Sequence, residues 1–186
     1  MFKVGMTVDM ADFDALNFRD NVSAAVRKVL EEDARIAVRL LEYATQTWTH
    51  RPTFRIQPLV KKGNEYSIQF GPVMDEAGRI FSYVELGVQP HWIFPVRSRD
   101  GLLHFKSHFT PKTTPGSLVP GPGARSGRWR RAKAVAWPGI TPRGFFDSVF
   151  ARVVMTWASE LQTIMDTFGV SFSEAKIERV VEVKTT

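Results

Sequence analysis

The sequence predicts an α+β fold: two long amphipathic helices packed on a small, mostly antiparallel sheet, with a long basic Pro/Gly-rich loop. Three observations carry that expectation. Apolar residues recur at three- and four-residue steps from Asp20 to Trp48, and again from Phe146 to Phe168. Between these stretches, from Phe54 to Phe70, the pattern changes to period two.

In the first helical stretch Val22, Val26, Val29, Leu30, Ile36, Ala37, Leu40, Leu41, Ala44 and Trp48 share a face, Asp20 or Asn21 offers a capping oxygen, and Pro52 marks an end. Phe54, Ile56, Pro58 and Val60, then Tyr66, Ile68 and Phe70, read as a hairpin turning at Gly63-Asn64. Pro58 places its first strand at a sheet edge, because proline cannot donate to the ladder. Asp75 to Gly78 reads as a turn, Ile80 to Leu86 as a third strand ending at Gly87, and Leu102 to Lys106 as a further extended piece.

From Ser107 to Lys133 the chain carries Pro111, Pro115, Gly116, Pro120, Gly121, Pro122, Gly123 and Gly127. So many breakers predict an extended basic loop or arm over 107–134. Thr141-Pro142 then looks like an N-cap followed by proline at the first helical position. Phe146, Val149, Phe150, Val153, Trp157, Leu161, Ile164 and Phe168 form the apolar face of the second long helix, and Gly169 suits its stop. The extension 170–186 alternates around Ile177, Val181 and Val183, as a last strand would. Length predicts a single domain over 1–186, large enough to bury ~70 % of its unfolded surface.

Composition narrows function. The absence of cysteine excludes disulfides, thiolate catalysis and Cys-ligated metal centres. The first twenty residues include Asp9, Asp12, Asp14 and Asp20 and no apolar run of signal-peptide length. No stretch approaches the ~20 apolar residues of a membrane helix, so no membrane partner is expected. Net charge is +6. From Gly101 to Phe146 there is no acidic residue, while Lys106, Lys112, Arg125, Arg128, Arg130, Arg131, Lys133 and Arg143 are all basic. The basicity therefore belongs to one segment.

Catalytic and metal motifs are weak. His104 and His108 are four apart with His91 upstream, but no helix aligns them and no acid within 101–146 completes a coordination sphere. Gly121-Pro122-Gly123 lacks the ending and the strand-to-helix context of a phosphate loop, and no Gly-x-Ser-x-Gly elbow occurs. Glu31 and Glu32 read as a solvated helix face. No catalytic residue, metal or cofactor is expected. Trp48, Phe145, Phe146, Phe150, Trp157 and Phe168 fit a core, whereas Trp92, Phe94, Trp129 and Trp137 lie in Pro/Gly-rich connections and fit either a core or a contact with another subunit.

A succession of short elements carries a resemblance: Tyr83, Glu85 and Gly87 as Tyr-x-Glu-x-Gly; Ile93 and Pro95; Leu103 and Phe105; then Pro138-Gly139 with Pro142 to Phe146 opening the last helix. In order and content this resembles the small neck proteins of long-tailed bacteriophages, the head-tail joining or minor tail-completion family. It covers Ile80 to Asp147, with Trp137 where the family often has His. The resemblance implies a structural virion protein of the neck, not an enzyme, forming a homo-oligomeric ring between the head connector and the tail. Implied partners are a connector or adaptor protein and a tail tube or tail terminator protein, after assembly in the host cytoplasm. DNA passes through such a ring, and specific DNA binding is not expected.

Lys112, Arg125, Arg128, Trp129, Arg130, Arg131 and Lys133 are the candidate partner-binding residues. They are expected to meet an adjacent subunit or an acidic neck protein, since a basic collar on DNA would brake a moving genome. The alternative is a basic nucleic-acid-binding module using 101–146.

Overall fold

A computed structural model describes residues 2–9, 16–96, 98–121, 123–168 and 171–179. It is α+β, with three helices and small antiparallel sheets. The chain, read as one domain from its length, divides into two compact units. Unit 1 comprises Met1–Glu42, Thr53–Val73 and Val149–Thr186; unit 2 comprises Tyr43–Pro52 and Met74–Ser148.

Unit 1 holds β1 (Phe2–Asp9), most of α1 (Leu16–Thr45), β2 (Phe54–Ile56), β3 (Val60–Lys62), β4 (Glu65–Pro72), most of α3 (Phe145–Phe168) and β9 (Ser171–Arg179). The strand order is β2-β4-β1-β9, β3 also pairs with β4, and each pairing is antiparallel. Gly63, at φ +63°, supplies the turn between β3 and β4, where Lys62 faces Glu65. Pro58 falls between β2 and β3, where a residue without an N–H interrupts the edge. Val22, Val26, Leu30 and Leu41 of α1, Tyr66, Ile68 and Phe70 of β4, and Val149, Val153 and Trp157 of α3 are buried. The Phe70 and Phe150 rings lie 6.3 Å apart.

Helix α1 begins at Leu16, four residues ahead of the expected cap, so Asp20 sits inside it. Strand β1 was not anticipated, although Phe2, Val4, Met6 and Val8 alternate with polar residues or glycine. The terminal strand runs over Ser171–Arg179 and includes Ile177, whereas Val181 and Val183 lie outside the described residues.

Unit 2 contains α2 (Glu76–Leu86), β5 (His91–Ile93), β6 (Leu103–Thr110), β7 (Ala124–Ala132) and β8 (Val135–Trp137). Strands β5 and β8 form one two-stranded sheet, β6 and β7 another. Its core is aromatic: Phe81 stacks on Phe145 at 5.6 Å and meets Phe146 edge-on at 5.7 Å, and Trp48 lies about 6 Å from both Phe81 and Phe145.

Ile80 to Leu86 is helical, not a strand. The Asp75 carboxylate accepts from the Gly78 N–H at 2.8 Å as an N-cap, and Gly78, Phe81 and Glu85 are buried at helical spacing. The inward residues follow the three- and four-residue steps of a helix and not the two-residue step of a strand, and Tyr83 faces outward between Phe81 and Glu85. The segment 107–134 is not an open loop. Its two ends belong to strands β6 and β7, which form an antiparallel ribbon, because the prolines cluster in the connection from Pro111 to Pro122 and spare both flanks. That connection packs back on unit 2: Leu118 and Thr113 are buried, and the Gly116 N–H donates to the Arg143 carbonyl at 2.8 Å.

Candidate functional site

Four of the eight motif residues meet in one junction of unit 2. Helix α2 turns its buried Glu85 towards the start of α3, where the carboxylate accepts from the Phe145 N–H at 2.7 Å and the Phe146 N–H at 3.3 Å. A helix start exposes unpaired N–H groups and a partial positive charge, and a buried carboxylate answers both. Glu85 therefore does the capping that Thr141-Pro142 was expected to do, and the helix opens at Phe145. Gly87 follows at φ +77°, after which Val88 and Ile140 exchange backbone hydrogen bonds of 3.0 and 2.9 Å. Gly139, at φ +83°, comes so close that a Cβ there would lie 2.2 Å from the Val88 carbonyl oxygen.

These residues shape a turn and hold no reactive group free. Phe146 is buried in the aromatic core. Tyr83, Ile93 and Pro138 are exposed, and Pro95 is half-buried between exposed neighbours.

Exposed apolar surface is extensive on unit 2. In the run His91 to Val96, Trp92 and Phe94 are each 62 % exposed and Val96 is 89 % exposed, with Ile93 also outward. β5 pairs with β8 through His91 and Trp137, Trp92 and Ala136, and Ile93 and Val135, and among the described residues its other edge has no strand partner. Trp137 is half-buried, its ring 4.9 Å from that of His91. On α2, Tyr83 and Leu86 face outward three residues apart.

The ribbon carries most of the predicted partner-binding residues. His104 faces Arg131, Phe105 faces Arg130, Lys106 faces Trp129, His108 faces Ser126 and Phe109 faces Arg125, with a bulge on β7 between the third and fourth of these pairs. Gly127, at φ +92°, occupies the bulge, where a Cβ would collide with Ser107. Every residue from Ala124 to Arg131 is exposed, Trp129 to 70 %. The Lys106 ammonium lies 5.9 Å from the Trp129 ring centroid. Lys112 stands apart from this group, its ammonium donating to the Thr47 carbonyl oxygen. Arg143 is buried, with its Nε unpartnered, and desolvation lowers its pKa. His104 pairs with Asp100 at 2.8 Å, an acid one position outside the acid-free stretch. Hydrogen bonds from Ser98 and His104 hold the Asp100 carboxyl below its ordinary range.

No family model, curated protein or solved structure matches the chain. Among the described residues no three His, Asp or Glu side chains gather as a metal ion would require, and no helix is long and apolar enough to cross a membrane.

Sequence reasoning passed over one buried group in unit 1. Asp33 is only 4 % exposed, neither carboxylate oxygen has a partner, and it faces a small pocket with Leu30, Ile68, Phe70, Val153 and Trp157. Burial first, then the Glu160 and Glu32 carboxylates, push its pKa up to about 7. The Trp157 Nε1 and Glu160 Oε2 are likewise buried without partners. Asp33 lies between Leu30 and Ala37 on the apolar face of α1, a polar residue at a core position, which was the available signal.

Proposed function

We propose that this chain is a structural protein of the phage neck, a head-tail joining or tail-completion subunit that oligomerises into a ring between the head connector and the tail. The observation that supports the reading best is the exposed run Trp92, Ile93, Phe94 and Val96 beside the open edge of β5. Large apolar side chains grouped on a surface mark protein contacts, and an uncovered strand edge invites another chain. The occupant we assign is a second copy, meeting this patch head-to-tail, because a contact between two different patches closes into a ring when the rotation allows. The ordered motif resemblance supports the same reading, and so does the non-catalytic, turn-forming geometry around Glu85, Gly87 and Gly139. In the virion the ring would bind a connector or adaptor on one side and a tail tube or tail terminator on the other.

Mass photometry of the purified chain over a concentration series tests the self-association. The expected result is one discrete oligomer that disappears in a Trp92→Ser, Phe94→Ser variant whose melting temperature is unchanged. A monomer at every concentration overturns the reading.

A further inference from the structure

We propose that the β6–β7 ribbon seats in the major groove of duplex DNA, with cations on its two faces reaching the two flanking phosphate backbones. Charge identifies the class of partner. Unit 2 contains 12 Lys and Arg against 5 Asp and Glu, whereas unit 1 contains 13 against 14. The excess positive charge of the protein thus resides in unit 2, and the ribbon is its acid-free part.

Geometry selects among polyanions. Side chains alternate across a strand, so Lys106 and Arg131 lie on one face of the ribbon and Arg125 and Arg130 on the other, with Arg128 at the bulge. All five are exposed. A flat acidic protein surface would engage one face and leave the other pair in solvent. A groove engages both, and the major groove, about 12 Å wide, admits a two-stranded ribbon. Trp129 and Phe109, exposed on opposite faces, add apolar contacts for the deoxyribose rings beside those phosphates.

This partner differs from the protein partner expected from the sequence, and the braking objection is answered by the nature of the contact. A grip made only of phosphate contacts is independent of sequence, and proteins held in this way slide along the duplex. The inference stands whether or not the chain forms a ring.

The test is fluorescence anisotropy of a labelled duplex of mixed sequence, titrated with the full chain between 50 and 200 mM salt. With about five phosphate contacts, affinity should fall ~10²- to 10³-fold across that range. Lys106→Ser with Arg131→Ser, and separately Arg125→Ser with Arg130→Ser, should each reduce the salt slope by about two. These side chains are exposed, so circular dichroism melts of both variants should match the parent. Poly-L-glutamate serves as the acidic-protein surrogate and should compete poorly at equal charge. Absence of binding at 50 mM salt, an effect confined to one pair, or displacement of the duplex by poly-L-glutamate would each overturn the proposal.

Discussion

Glu85 illustrates how one side chain can join two elements and look like a functional motif. Its carboxylate caps α3 from α2, so Glu85→Ala leaves two buried N–H groups without their acceptor and should destabilise the protein by ~1–3 kcal/mol. Glu85→Gln, which retains one acceptor oxygen, should cost less. Denaturant midpoints of the two variants check this, and equal stability of Glu85→Ala and the parent would remove the capping role. Asp33 predicts a pH dependence of definite sign. Its folded pKa is about 7 against an ordinary 3.8, so the folded state holds the proton more tightly and stability falls as pH rises from about 4 to 7. The loss should be on the order of 2–4 kcal/mol over that window. Glu160, also raised, acts in the same direction. Asp33→Asn should flatten the profile in chemical denaturation measured from pH 4 to pH 8, and an unchanged slope would contradict the assignment.

At the scale of elements, two tryptophans separate core from surface. Trp157 is 4 % exposed in unit 1, and its replacement by alanine should cost ~3–5 kcal/mol, whereas Trp129→Ala on the free ribbon should stay within about 0.5 kcal/mol. Thermal melts decide it, and equal losses would mean that Trp129 is packed. The periodicity was informative where one face is uniformly apolar: Val22, Val26, Leu30 and Leu41, and Val149, Val153 and Trp157, are buried as their spacing predicts. It failed at α2, whose inward face includes Gly78 and Glu85, neither of which registers as apolar. Breaker counting likewise overstated the loop. Proline forbids strand only where it stands, and Gly127 is used by a bulge inside β7 without ending it. Of the candidate site, Arg125, Arg128, Trp129, Arg130 and Arg131 were legible as a cluster because they are close in sequence, whereas Lys112 stands apart and Arg143 is buried. Their arrangement on two faces was not, since it depends on a register set by the bulge.

For the whole molecule, the two units divide the roles unevenly. Unit 1 is nearly neutral with a five-stranded sheet, while unit 2 carries the net positive charge, the exposed Trp92, Phe94 and Val96, and the ribbon. Both proposals rest on that surface, self-association on its apolar run and duplex binding on its ribbon. The proposed ring requires copies to join head-to-tail and close. Class averages of the purified oligomer by negative-stain electron microscopy test it most directly. Closed rings of a single rotational symmetry around an open centre are expected, lost in the Trp92→Ser, Phe94→Ser variant; two-fold dimers with no centre, or open filaments of variable length, would rule the ring out.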